Sequence, residues 1–406
     1  MTELWTSGTL SDLATANPDK ASAIRGLERF RYIDISCLSE DGIARAEAVP
    51  VLHAAVAPSR AQRLVKTGDS LVGTVRPERG ARGLVGADLH GEVASSGICV
   101  LRPKIATDAV FVYAVIRDPS FTEWCVNYST GTSYPAVAPG DIARFPLLVP
   151  PPRERLRIAE VLGALDDAIE VSRSLIESLE SSVQLEATAV LQSAGEGSQL
   201  LTDVATIVNG YSYKSSELVD DSDVAMVNLK NFGRHGGFRL DGLKPFDGAP
   251  KPAQVLVSGD AMVAKTDLTQ GAEVIGRCLR MPALPQFESY VASLDIAIVR
   301  SKGQLPQLAL CALLAQPEFR DHCLGFVNGT TVLHMSKAAL ETYRLPVLDD
   351  GQVAALTTRV EALAAQQDRT LVELYHLQQM RGFLLPRLIS GELRVAAAEE
   401  LVEAAT

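Results

Sequence analysis

No glycine precedes a lysine anywhere in the sequence, so the G-x-x-x-x-G-K-S/T phosphate loop is missing, which excludes an ATP motor of that class. No lysine has an acidic residue two positions before it, which removes the carboxylate-x-lysine core of many nucleases. Neither Asn17-Pro18-Asp19 nor Asp118-Pro119-Ser120 supplies the N/D-P-P-Y/F loop that methyl transfer to an amino group requires. The 6 histidines lack metal-ligand spacing, and the 6 cysteines (Cys37, Cys99, Cys125, Cys278, Cys311, Cys323) include no C-x-x-C pair. Reduced and mostly buried thiols are the expectation, with no catalytic, cofactor or metal site in the chain. No apolar run approaches the roughly 18 residues of a membrane helix. The opening MTELWTSGTLSDLATANPDK has neither the basic flank nor the apolar core of an export signal, so a cytoplasmic location is expected.

What is present bounds the architecture. A chain of 406 residues, 47% of them hydrophobic, is a folded protein too long for one ordinary core. Its net charge of −11 opposes nucleic-acid binding until its distribution is read. Residues 1–152 carry 15 basic and 16 acidic side chains, and residues 198–348 carry 14 and 15. The excess lies in 153–197, with 4 against 9, and in 349–406, with 5 against 9. Two near-neutral blocks alternate with two acidic ones, so the acidic surface need not be the one that meets DNA.

The near-neutral blocks echo each other. Leu10-Ser11-Asp12-Leu13-Ala14 matches Leu201-Thr202-Asp203-Val204-Ala205, and Tyr32-Ile33-Asp34-Ile35 matches Met226-Val227-Asn228-Leu229. Further on, Thr67-Gly68-Asp69-Ser70-Leu71-Val72 matches Ser258-Gly259-Asp260-Ala261-Met262-Val263, and Gly131-Thr132-Ser133 matches Gly329-Thr330-Thr331. Each match alone is weak, but four in the same order indicate a duplication. Each copy reads as mixed α/β, with short β-rich runs punctuated by Gly, Pro and Asp turns.

The acidic blocks read as helices. After Pro150-Pro151-Pro152, apolar residues fall at Ile158, Leu162, Leu165, Ile169, Ile176, Leu179, Val183 and Val190. A second series runs through Val353, Leu356, Val360, Leu363, Leu374, Leu377 and Leu384. This spacing is that of a coiled-coil seam. About 40 residues at 1.5 Å each make a rod of roughly 60 Å, longer than a small domain needs. Antiparallel pairing brings the polar interruptions Ser172 and Thr370 together in the seam. Glu154, Glu160, Asp166, Asp167, Glu170, Glu177 and Glu180 are expected on the outer face.

Several segments together resemble the specificity subunits of type I restriction–modification systems. They are Tyr32–Ser36 (YIDIS), Pro58–Gly80, Gly131–Pro135 (GTSYP) leading to FPLLVPP, and the helix opening RIAEVLGALDDAIE. The second half adds Gly259–Asp267 (GDAMVAKTD), Asn328–Thr331 (NGTT) and Leu384–Val395 (LLPRLISGELRV). The resemblance covers about residues 8–395. It implies a target-recognition domain over 1–152, a central helix over 153–197, a second recognition domain over 198–348 and a C-terminal helix over 349–395. Residues 396–406 are expected to be a disordered tail.

The fold class is thus mixed α/β recognition domains joined by an antiparallel coiled coil, with an internal pseudo-twofold repeat. The implied function is non-catalytic: each domain reads half of a split double-stranded DNA target, and two methyltransferase subunits dock on the helices, with helicase–nuclease subunits added for restriction. S-adenosylmethionine would belong to the methyltransferase partner, and ATP with Mg²⁺ to the restriction partner. Competing readings are a scaffold protein, or the recognition module of a related phage-defence system.

DNA contacts are expected from loops. Arg60, Arg63, Arg76, Arg79 and Arg82 form the densest cationic stretch of the first half, suited to phosphate or to guanine. Thr132, Ser133 and Tyr134 add small donors beside a glycine turn. In the second half the candidates are Lys230, Asn231, Arg234 and His235, then Lys265, Thr330 and Thr331.

Overall fold

A computed structural model describes residues 5–20, 28–39, 42–43, 46–234, 236–269 and 271–405. The chain forms two compact units, one of residues 1–168 with 377–406 and the other of residues 169–376. Each contains one α/β domain and one end of each of two long helices, Pro152–Ser193 and Asp350–Ser390.

In the first unit one antiparallel sheet has the order Ala14–Ala16, Ile98–Pro103, Ser70–Gly73, Arg82–Leu84. A second has the order Val51–His53, Arg29–Ile33, Val93–Ser95, Ala61–Leu64, and its central pair is parallel. Helices Ala109–Arg117 and Pro119–Asn127 follow. Ile98–Leu101 is buried on both faces, which explains its unbroken apolar run.

The second unit repeats this plan strand for strand. One sheet runs Ala205–Asn209, Ile296–Ser301, Ala261–Ala264, Cys278–Arg280. The other runs Lys244–Pro245, Val224–Val227, Ser289–Ala292, Val255–Leu256, again with a parallel central pair. Helices Gln307–Leu314 and Pro317–Leu324 take the places of the earlier two.

Three of the four sequence matches mark positions where this plan needs a particular residue or backbone role. Asp12 and Asp203 accept from the backbone N–H of Thr9 and Leu200, capping matching short helices at 2.7 and 3.1 Å. Tyr32-Ile33 and Met226-Val227 occupy the parallel pairing. Gly68 and Gly259 turn with φ of 85° and 93°, values that side chains rarely adopt. Beside them Asp69 accepts from Lys66 N and from Arg102 Nε and Nη2, at 2.8, 2.8 and 2.7 Å. Asp260 accepts from Val257 N and from Arg300 Nε and Nη2, at 2.9, 2.8 and 2.6 Å.

The long helices bury their seams within each unit. In the first unit Ile158, Leu162 and Leu165 are buried, as are Leu377 and Leu384 of the other helix. In the second, Ile169, Ile176, Leu179, Leu356, Val360 and Leu374 are buried, while Val183, Val190, Val353 and Leu363 are half-buried. There the pairs Ser193–Gln352, Glu186–Arg359 and Glu180–Gln367 run in opposite directions along the two helices, so their arrangement is antiparallel. Ser172 and Thr370 are both buried, and Thr370 satisfies its hydroxyl on the Gln366 carbonyl one turn back.

Two expectations fail. The stretch expected to be a disordered tail is the helix Val395–Ala405, whose Val395 and Ala398 are buried. A run of small and apolar residues every three or four positions gives it a face to bury. The outer acidic face also loses members: Glu154 accepts from Trp5 Nε1 at 2.8 Å, Asp166 pairs with Arg117 and Arg381, and Glu180 turns inward. All six cysteines are free and buried.

Breaking a buried bidentate pair leaves an uncompensated charge at a cost of about 3–5 kcal/mol. Asp260→Asn should therefore lower the unfolding free energy of the second unit, read from urea titration, by that order, with hydrogen exchange accelerated over residues 255–301. A loss below about 1 kcal/mol, the scale of an ordinary hydrogen bond, would show that the pair is not a structural anchor.

Candidate nucleic-acid interface

Two of the first unit's loops converge. Arg76 adopts a left-handed conformation (φ 52°) and its N–H donates to the Pro135 carbonyl at 2.8 Å. Val75 and Thr130 both bridge to Ala136, which draws the 129–137 segment against the turn Pro77–Arg79. The Arg76 guanidinium stacks over the Tyr134 ring at 5.1 Å. Arg79, Thr132, Ser133 and Tyr134 are exposed around it, Tyr134 to 71%. An aromatic ring so exposed, beside two arginines and two hydroxyls, offers stacking, charge and hydrogen bonding on one surface. Gly131 makes the turn with φ of 98°, where an added Cβ would lie 3.1 Å from the Tyr134 carbonyl oxygen.

Arg60 is exposed nearby in sequence, and Arg63 is half-buried, its Nε enclosed with no hydrogen-bond partner among the described residues. Arg82 does not belong to this surface. It is buried, and its guanidinium donates to the carbonyls of Gly80 and Ile116 and to Thr122 Oγ1. A guanidinium consumed by internal acceptors ties a strand to two helices and is withdrawn as a DNA contact.

The second unit builds a related surface. Thr266–Asp267 pairs with Leu333–Met335, which pairs with Val327–Asn328. Met335 N donates to the Lys265 carbonyl at 2.8 Å, the counterpart of Val137 N on the Thr74 carbonyl at 3.0 Å. Lys265 therefore lies beside the hairpin whose exposed turn carries Thr330 and Thr331. Its Nζ donates to Asn209 Oδ1 at 2.7 Å, and burial pulls its pKa below the ordinary lysine value against the opposing charge of Asp295.

Lys230 is exposed, and Arg234 is exposed but paired with Glu273 at 3.1 Å. His235 lies outside the described residues. Asn231 is fully buried: its Oδ1 accepts from Asn228 N at 2.9 Å and its Nδ2 donates to the Arg239 carbonyl at 2.7 Å. That amide shapes the loop and has nothing left for a base, so it too is withdrawn.

Residue type did not single out Arg277 and Arg320. Arg277 Nη2 holds the Arg234 carbonyl at 2.7 Å, and Arg320 Nη2 holds the Ala272 carbonyl at 2.6 Å. Arg277 braces the Arg234 loop, Arg320 braces the 272–275 segment, and both line a cavity of about 210 Å³ that Glu180 also lines. No motif marks them, and Glu180 directly follows the seam residue Leu179, at the edge of the apolar stripe.

No family model matches the chain. A stretch of 130 residues, 31% of this chain, is 23% identical to the type I restriction enzyme HindI specificity subunit of Haemophilus influenzae. That stretch spans only 28% of the relative's length. Among solved structures, the type I restriction-modification S subunit from M. genitalium matches with a TM-score of 0.53 at 15% identity, over 95% of this chain and 96% of that one. The HsdS subunit from Thermoanaerobacter tengcongensis matches at 20% identity with a TM-score of 0.40, over 96% and 97% of the two chains.

The Glu180 carboxyl yields a pH prediction. Burial pushes its pKa up from near 4.5 to about 7, Glu177 adds to the rise, and Arg280 and the Gln367 amide oppose it. The folded state thus keeps a proton that the unfolded chain releases, and stability falls as pH rises through that interval. Glu180→Gln should be more stable than the parent at about pH 8, with the advantage vanishing toward about pH 4.5 in thermal melts. An advantage independent of pH would refute the assignment.

A fold shared nearly end to end with the M. genitalium subunit, and a stretch of sequence shared with the Haemophilus influenzae one, make this chain similar to the specificity subunits of type I restriction–modification systems.

Proposed function

We propose that the chain is the sequence-specificity subunit of a type I restriction–modification complex, reading a bipartite double-stranded DNA target with one unit for each half. The observation that carries this reading is the duplication itself. Two domains with the same strand order each present a loop surface of cationic and hydroxyl side chains, and each is attached to the same pair of helices. A split target read by two related modules needs that plan. Differences between the loops supply different sequences, while the shared frame keeps the geometry constant.

In this reading the arginines and hydroxyls divide the labour. Guanidinium groups contact phosphate or the O6 and N7 of guanine, and hydroxyls reach either. The exposed carboxylates Glu160, Asp167, Glu170 and Glu177 on the central helix face protein, because phosphate would be repelled there. Two methyltransferase subunits dock on the helices and bring S-adenosylmethionine; helicase–nuclease subunits, where present, bring ATP and Mg²⁺. The chain itself makes and breaks no bonds. Among the described residues no helix is long and apolar enough to cross a membrane, and the site of action is the cytoplasm, where the DNA lies.

The isolated chain should bind DNA weakly, since its net charge of −11 works against phosphate, and the complex should bind tightly. Arg79→Ala, produced with the methyltransferase partner, should lose about 1–3 kcal/mol of discrimination at one target position. Sequencing of methylated bases would show this as relaxation at that position, with the other half-site unchanged. Methylation of the same target at an unchanged rate would remove Arg79 from the interface, and tight sequence-specific binding by the isolated chain would overturn the partner-dependent reading.

A further inference from the structure

The cavity in the second unit has a chemistry that DNA reading does not use. Its apolar wall includes Val183, Leu308, Ala312 and Leu371, and part of its lining is the backbone of Gly236 and Gly237. Its polar end holds two guanidinium groups. Arg277 donates from Nε to the Glu273 carbonyl at 2.7 Å and from Nη2 to the Arg234 carbonyl at 2.7 Å. Arg320 donates from Nη2 to the carbonyls of Ala272 and Glu273, at 2.6 and 3.3 Å, and from Nε to that of Ile275 at 3.4 Å.

All these acceptors are neutral. Among the described residues neither arginine has a carboxylate partner, whereas the third lining arginine, Arg280, is neutralised by Asp368 at 2.6 Å. Two neighbouring, half-buried cations without a counter-charge are costly, and a guanidinium has five N–H groups to satisfy. Burial, and after it the repulsion of Arg320, lowers the pKa of Arg277. Glu180 makes no ion pair with either arginine: burial raises its pKa to about 7, and its Oε1 accepts from Gln367 at 3.1 Å.

Size narrows the occupant. An engineered apolar cavity of about 150 Å³ holds benzene. A cavity of about 210 Å³ accommodates one ring and a compact polar group.

We infer that this cavity is a binding site for a small amphipathic anion, a carboxylate carried on a single aromatic ring or a branched apolar body of like size. Its head lies between Arg277 and Arg320, and its body lies on the wall formed by Leu308, Ala312 and Leu371. The occupant rests against Gly236 and Gly237, in the same segment that presents Arg234. The site goes beyond recognition of DNA and does not depend on it.

The test uses the full chain labelled with ¹⁵N-glycine and titrated without DNA. Benzoate should shift the amide signals of Gly236 and Gly237 saturably and leave Gly68 and Gly131 unmoved. Benzylamine and matched sodium chloride should shift neither pair. Arg277→Gln should weaken benzoate at least tenfold. Three outcomes overturn the proposal: no saturable shift with benzoate, tighter binding of benzylamine, which would make Glu180 the anchor, or inorganic phosphate binding as tightly as benzoate, which would leave the apolar wall without a role. The comparison of ligands on the unaltered chain decides the matter even if the variant misfolds. Because no DNA is present, a negative result leaves the recognition function untouched, and a failure of that function leaves this result standing.

Discussion

A carboxylate buried at a left-handed glycine turn, gripped by an arginine from a neighbouring strand, is the constraint on which each unit is built. Asp69 is completely buried, and Asp260 is 1% exposed. Removing a carboxylate from water costs several kcal/mol, and only good geometry with saturated lone pairs offsets it. Both conditions hold in both copies, since each aspartate takes a bidentate guanidinium and a backbone N–H. The pair fixes where Ser70–Gly73 and Ala261–Ala264 begin, and hence the register of the strands beside them. Register slips flip every side chain between faces, so a fixed start determines which residues form the core and which reach the loops.

From that anchor the loop surfaces follow. In the first unit the strand Ser70–Gly73 leads into the turn carrying Arg76 and Arg79, and the 129–137 segment folds back onto it. In the second, Ala261–Ala264 leads into Lys265 and the hairpin bearing Thr330 and Thr331. The frame is the same and the exposed chemistry differs, with an arginine stacked on tyrosine in one and a half-buried lysine held by an asparagine in the other. The separation lets the exposed loop chemistry differ while the frame stays the same.

The long helices show the same economy of polar groups. Thr370 is buried but returns its hydroxyl to its own helix, and Asp166 bridges two arginines. Glu180 is the exception, an acid at the edge of the seam with only an amide and a nearby cation to receive it. It lines the cavity of the second unit.

The sequence by itself determined the duplication, the seam and the partition of charge, because these rest on periodicity and on residues whose backbone or capping roles are local. Gly68 and Gly259 are needed for φ, Asp12 and Asp203 for a cap within the same turn, and the apolar seam for a face every three or four residues. Tertiary structure decided which polar side chains are free. Arg79 and Arg82 are three residues apart and alike in composition, yet one is exposed and the other is spent on Ile116 and Thr122, more than thirty positions away. Asn231 and Arg234 divide in the same way, and Glu154, Asp166 and Glu180 left the outer face of a helix for partners that helical periodicity does not encode. Whether a polar group serves the fold or the surface depends on acceptors distant in sequence, and those meet only once the strands have taken their register.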